Sequence, residues 1–183
     1  LKQEFDKIID NFKKKAGSHY AASRGEYLNG IIMANYLGYE FVDPAEAIRF
    51  NEAGVFDAEL TNKLLSKRLE EVERAVIPGF YGAMEDGTVQ TFSRGGSDIT
   101  GSIVAKAVQA DVYENWTDVD NVCAVNPNLV KNPFPITEIT YDEMRELSYA
   151  GFTVLHEEAI YPVFARGIPL NIKNTNNPSA KGT

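Results

Sequence analysis

Apolar positions recur at helical spacing from the start of the chain. Phe5, Ile8, Ile9 and Phe12 fall at i, i+3, i+4 and i+7 within a mostly charged segment, which predicts an amphipathic helix over 1–15. A second helix is expected over 24–37. Leu28, Ile31, Ile32 and Leu37 would be its buried positions and Gly38 its left-handed stop. YEFVD reads as a short strand, and Asp43–Pro44 as an N-cap followed by proline at the first helical position. Asp57 opens a longer helix to about Arg74, turning Leu60, Leu64 and Val72 inward. AVIPGFYGA reads as a strand running into a glycine-punctuated loop, EDG as a hairpin turn and TVQTF as the returning strand.

Further along, the pattern predicts a helix over 98–109 and a buried strand ADVYENW. An Asn- and Pro-rich loop spans 117–138, longer than compact domains usually carry, and such loops are often functional. Thr140 and Glu143 form a capping box for a helix over 141–149. A helix over 156–166, a strand IPLNIKN and a loose polar tail over 174–183 complete the chain. Strands alternate with helices from Tyr39 onward. That pattern predicts an α/β fold with a mostly parallel sheet and helices on both faces.

Composition narrows the functional classes. The 183 residues carry 18 basic and 26 acidic side chains, a net charge of −8, and no basic stripe, which argues against nucleic acid as a partner. One cysteine, Cys123, and two distant histidines, His19 and His156, exclude a structural zinc site; a hard cation held by oxygens stays open. No apolar run reaches membrane-spanning length and Leu1 does not open a signal peptide, so the expected location is the cytoplasm.

Against this acidic background the segment TFSRGGSDITGS, residues 91–102, stands out. A strand delivers the chain into Ser93-Arg94-Gly95-Gly96 and a helix begins near Ser97-Asp98. A helix start offers unpaired N–H groups, glycines let the backbone approach a ligand, and Arg94 adds a fork that can grip a carboxylate or phosphate. The same residues also make a plain helix start, with Ser97 or Asp98 as cap. Neither familiar nucleotide-binding glycine fingerprint is matched. Ser23-Arg24-Gly25-Glu26 has two readings as well: a capping box with Ser23 as N-cap, or a carboxylate for a substrate amine. Thr117-Asp118-Val119-Asp120 follows a strand end, where ligands gather in open α/β sheets, although a solvated acidic turn reads the same way. His156-Glu157-Glu158 reads as capping, and Cys123 as a small buried or loop residue.

Taken in order, SRGEYLNGIIMANYLGYEFVD, IPGFYG, FSRGGSDITGSIVAKAVQAD, NWTDVDNV, ITYDEMRELSYAG, VLHEEAIYPV and IPLNIKNTNNP resemble the later part of the catalytic domain of aspartokinases, over nearly the whole chain. The resemblance implies a partial amino-acid-kinase fold over 1–174, with 175–183 as a tail toward regulatory domains. It implies transfer of the γ-phosphoryl group of ATP, carried with Mg²⁺, to the side-chain carboxylate of L-aspartate. Arg94 would then bind the substrate α-carboxylate and Glu26 its α-ammonium group. Phe80 and the backbone around Gly79 would line the pocket, and Gly95, Gly96 and Ser97 would form the loop at the reacting groups. Asp98 would orient a catalytic lysine, and Thr117 and Asp118 would meet the nucleotide. No residue is assigned as a metal ligand.

The resemblance has gaps. The family opens with a strand and a lysine–phenylalanine–glycine–glycine motif that has no counterpart in these residues. Asn121 stands where a glycine is usual, and Asn126 and Asn128 replace an aspartate and an arginine of the nucleotide loop. Little or no kinase activity is therefore expected of this stretch in isolation. A homodimer is expected only of a longer protein that includes the regulatory region. The alternative reading is a catalytically silent aspartate-binding or interaction module.

Overall fold

The computed structural model describes residues 1–125, 129–149 and 157–183. The expected roles of Asn126, Asn128 and His156 lie outside the described residues. The chain forms two compact units, Leu1–Thr100 and Gly101–Thr183, with the α/β character that the sequence pattern predicts. Three of the five strand pairings among the described residues are parallel.

In the first unit, helices α1 (Lys2–Lys13) and α2 (Ser18–Leu37) precede strand β1 (Glu40–Phe41). Asp43 caps the short helix α3 (Pro44–Ala47) as expected, its carboxylate accepting from Ala45 N–H at 3.0 Å. Strand β2 (Arg49–Phe50) follows, then α4 (Ala58–Leu69), capped by Asp57 through the Leu60 N–H at 2.9 Å. Strands β3 (Ala75–Val76), β4 (Tyr81–Met84) and β5 (Val89–Thr91) complete the unit, with helix α5 (Gly96–Ala107) beginning at its end. β1 pairs with β3, and β4 lies between parallel β2 and antiparallel β5. The β4–β5 turn is the hairpin that EDG predicts: Gly87 takes φ +85° and Asp86 accepts from Thr88 N–H at 2.8 Å. Val42, Ile48, Leu65 and Tyr81 are fully buried and form the core around β4.

Several sequence expectations change here. Helix α2 begins at Ser18, so Ser23 is interior to it and the Ser23–Glu26 capping box does not exist. The Ser23 hydroxyl instead donates to the Tyr20 carbonyl at 2.9 Å. Helix α4 ends at Leu69 rather than near Arg74. On α1 only Ile8 of the apolar stripe is buried; Phe5, Ile9 and Phe12 are exposed, as are Ile32, Leu37 and Leu60 on later helices. The period of the pattern sets the helix but not what covers its apolar side.

In the second unit, α5 continues to Ala107 and strand β6 (Tyr113–Thr117) pairs in parallel with β9 (Leu170–Asn174), from Tyr113↔Leu170 to Thr117↔Asn174. Helices α6 (Tyr141–Tyr149) and α7 (Glu157–Phe164) lie between them in sequence. Ala105, Val163 and Ile168 form a core cluster against which Ala110, Tyr113 and Tyr141 pack. β6 is not buried on both faces: burial alternates along it, and Trp116 is exposed with the Lys173 ammonium 5.0 Å from its ring centroid. The 117–138 stretch is not wholly loop, since β7 (Val122–Cys123) pairs antiparallel with β8 (Pro135–Ile136). Cys123 is half-buried in β7, a strand position rather than a loop.

The polar tail is held rather than loose. Thr183 exchanges backbone hydrogen bonds with Ile172, at 2.9 and 3.2 Å. Its hydroxyl accepts from Val122 N–H at 2.8 Å and donates to the Ile136 carbonyl at 2.6 Å.

The capping box at α6 forms as expected. The Glu143 carboxylate accepts from Thr140 N–H at 2.8 Å and from the Thr140 hydroxyl at 2.7 Å, and these bonds hold its pKa below the usual carboxylate value. A depressed folded-state pKa means that this stabilisation is complete above the unfolded value and is lost as pH falls through the folded one. Protection of the first-turn amides of α6, taken relative to the intrinsic exchange rate at each pH, is therefore expected to fall as pH drops below about 4. Glu143→Gln should remove that pH dependence; an acid response identical in the variant would refute the assignment.

Candidate active site

The first unit brings the glycine turn and the Gly79–Phe80 segment together. After β5 the chain passes through Arg94 and Gly95, which takes φ +56°, into α5. Gly96 is buried against Phe80: a Cβ there would stand 2.6 Å from Phe80 Cα and 3.2 Å from Phe92 Cβ. A Cβ on Gly79 would in turn meet Ser97 Cα at 2.9 Å. Only glycine at both places allows this backbone approach. Gly96→Ala must push the two segments apart. It is expected to lower stability by about 1–3 kcal/mol in urea unfolding, and an unchanged midpoint would contradict the packing.

Phe80 occupies the left-handed region at φ +62°, where a bulky side chain is costly by about 1–3 kcal/mol. Its N–H points to the Gly96 carbonyl at 3.3 Å and the Thr100 hydroxyl oxygen at 3.1 Å. Its carbonyl accepts from Phe92 N–H at 2.9 Å. Phe92 joins Phe50 and Phe56 in an aromatic cluster with ring centroids 4.9–6.1 Å apart. The turn conformation is thus held from both sides.

Glu26 lies on α2. Ser23, Gly30 and Ala34 mark the buried side of that helix. Glu26 stands three residues after Ser23 and four before Gly30, at the edge of that side, yet it is exposed. Gly30 lies against Pro78, where a Cβ would come within 2.5 Å of Cγ. One helical turn therefore separates Glu26 from the residue that touches the entry to Gly79–Phe80. His19, seven residues before Glu26 and so on nearly the same side, meets Thr91 of β5, Nδ1 to Oγ1 2.7 Å. Arg94 follows β5 and is exposed; among the described residues neither Arg94 nor Glu26 takes part in an ion pair. Ser97 is exposed and Asp98 half-buried in the first turn of α5, where the helix dipole favours a carboxylate.

Beside Glu26 the sequence reading missed a buried cation. The Arg24 guanidinium lies 4.4, 4.5 and 5.4 Å from the ring centroids of Tyr20, Tyr27 and Tyr81, and its Nη2 donates to Ser23 Oγ at 2.9 Å. Tyr81 donates to Asp43 at 2.9 Å and Tyr27 to Glu4 at 2.8 Å. Burial first, then these carboxylates, pushes both phenols above their usual range. Tyr20 and Tyr27 sit at i−4 and i+3 from Arg24, a helical-face spacing that could have revealed the cage.

Thr117 and Asp118 belong to the second unit, at the carboxyl ends of parallel β6 and β9. The Thr117 hydroxyl donates to Asp118 at 3.3 Å, and Asp118 is exposed. The next carboxylate, Asp120, is occupied: it accepts from the Asn174 and Asn177 amides at 2.7 and 3.2 Å. Asp120 therefore fixes the loop, while Asp118 faces solvent at a strand end suited to ligands.

Residues 2–174 match the amino acid kinase family, and the chain belongs to that family. It is 53% identical over 167 residues to Aspartokinase 3 of Bacillus subtilis, covering 87% of this chain and 37% of that protein. The crystal structure of the Clostridium acetobutylicum aspartate kinase superposes with a TM-score of 0.90 at 52% identity, over 99% of this chain and 41% of that one. E. coli aspartokinase III in complex with aspartate and ADP gives a TM-score of 0.86 at 25% identity, covering all of this chain and 45% of that structure. The chain thus spans less than half the length of each of these relatives.

Proposed function

We propose that this chain carries the amino-acid pocket and part of the nucleotide site of an ATP-dependent kinase. The enzyme would phosphorylate the side-chain carboxylate of L-aspartate to 4-phospho-L-aspartate. The observation that carries the reading is the packing of the Gly95–Gly96 turn on Gly79–Phe80, with Arg94 leading directly into that turn; among the described residues neither Arg94 nor Glu26 is engaged in an ion pair. An α-amino acid presents the complementary pair: its carboxylate for Arg94 and its ammonium for Glu26.

The acceptor carboxylate has an ordinary pKa near 4 and is ionised at neutral pH, so no general base is needed. The bond from the terminal phosphorus to the bridging oxygen breaks as one to the substrate oxygen forms, and ADP leaves. The difficulty is bringing anions together, and catalysis rests on positioning and positive potential. The N-terminal N–H groups of α5 supply that potential at Gly96 and Ser97. Asp98 in the same turn serves to orient a lysine, and Thr117 with Asp118 serves the nucleotide. Mg²⁺ would arrive on the nucleotide, held largely by phosphate oxygens and water. Such an ion does not require a cluster of three protein ligands, and the described residues contain none. Asp118, exposed at its strand end, suits an outer contact to it.

The test is ADP release by a polypeptide containing this chain, coupled to a spectrophotometric readout, with and without L-aspartate. Turnover that depends on aspartate supports the kinase. A folded protein that binds aspartate without turnover supports the silent module, the reading that Asn126 and Asn128 favour. Failure to bind aspartate at all sinks both.

A further inference from the structure

We propose that Thr100, which touches no reacting group, is a positioning residue that sets the shape of the amino-acid pocket. The inference rests on the functional reading above and adds to it a residue whose role that reading does not contain. Thr100 is 2% exposed, in the second turn of α5. Its hydroxyl donates to the Gly96 carbonyl at 2.7 Å. A helical threonine commonly makes such a bond to the carbonyl four residues back, and by itself it signifies nothing. Here the oxygen has a second task. It accepts from the N–H of Phe80, twenty residues earlier in the chain, at 3.1 Å.

One buried atom thereby joins the two segments that form the pocket: the glycine turn through Gly96 and the pocket wall through Phe80. The residue it holds is the one that most needs holding. Phe80 stands at φ +62°, a conformation that an aromatic residue leaves unless its surroundings enforce it. The alternative acceptor for its N–H, the Gly96 carbonyl, is farther at 3.3 Å and already accepts from Thr100. Donor and acceptor roles are consistent throughout: amide to hydroxyl oxygen, hydroxyl hydrogen to carbonyl. The isosteric Thr100→Val keeps the volume and the β-branch and removes the hydroxyl, so the Phe80 N–H loses its nearer acceptor and keeps only the longer contact to the Gly96 carbonyl.

The experiment compares the wild-type chain with Thr100→Val and Thr100→Ser, each checked for folding by far-UV circular dichroism. Amide hydrogen exchange at Phe80, read by NMR, reports the clamp without any ligand. Calorimetric titration with L-aspartate reports the pocket. In Thr100→Val the Phe80 amide is expected to exchange at least tenfold faster and aspartate to bind about tenfold more weakly. Thr100→Ser, which restores the hydroxyl, should recover both. Unchanged exchange at Phe80 in the valine variant overturns the clamp whatever aspartate does. Faster exchange with unchanged aspartate affinity overturns the positioning role while leaving the functional reading intact. A wild-type chain that does not bind aspartate, yet shows the exchange effect, removes the functional reading and the pocket role with it. If valine fails to fold, serine carries the test: wild-type exchange and affinity support the proposal, and a loss of either overturns it.

Discussion

Arg94→Ala is expected to weaken L-aspartate binding about a hundredfold, a loss of about 2.7 kcal/mol, at the lower end of the range for truncating one partner of a charge pair that the bound ligand buries. The side chain is exposed and forms no ion pair among the described residues, so its removal should leave the fold alone. Urea midpoints within about 0.5 kcal/mol of wild type are expected, as for surface substitutions generally. Arg94→Lys separates charge from geometry. It keeps the cation and loses the planar fork, and affinity should fall about tenfold rather than a hundredfold. Isothermal titration with L-aspartate measures all three proteins. Equal affinity of Arg94→Ala and wild type would falsify the assigned carboxylate contact.

The second large effect concerns stability. Tyr81 is completely buried at the start of β4, one residue after Phe80. Its ring packs edge-on against Phe80, with centroids 6.0 Å apart, and lies near the Arg24 guanidinium. Tyr81→Ala opens a cavity in the centre of the first unit and strips one wall from a buried cation; about 3–5 kcal/mol of unfolding free energy should be lost. Tyr81→Phe removes only the hydroxyl. Asp43 keeps its bond from Ala45 N–H, so the cost should be about 1 kcal/mol. Equilibrium urea unfolding followed by tryptophan-independent circular dichroism distinguishes them. Equal midpoints for the phenylalanine and alanine variants would show that the ring contributes nothing.

What the sequence revealed depended on how local the cause was. Asp43–Pro44, Asp57, Asp86–Gly87 and the Thr140–Glu143 pair act through their own turn, and each does in the fold what its neighbours in the chain suggest. The start of α2 misleads because Ser23 and Glu26 imitate a capping box inside a helix that begins at Ser18 without any side-chain cap. The left-handed Phe80 is invisible for the opposite reason. Nothing in IPGFYG favours that backbone; Gly96, Thr100 and Phe92, all distant in sequence, impose it. Likewise ADVYENW reads as a buried strand, yet burial alternates along it and Trp116 is exposed beside Lys173. The candidate site was legible as a set of residues through its resemblance to a family. Its joinery was not, because backbone approach and a shared buried hydroxyl leave no periodic trace.

The tyrosine cage has a consequence for how this protein responds to its medium. Among the described residues, Arg24 is held by ring faces and a serine oxygen rather than by an acidic partner. Aromatic quadrupoles neither take up protons in acid nor collect counter-ions, so this attachment should outlast conditions that dissolve ordinary surface ion pairs. Brine that loosens the exposed Lys13–Asp10 pair at the periphery should leave the helix bearing Glu26 seated where it is.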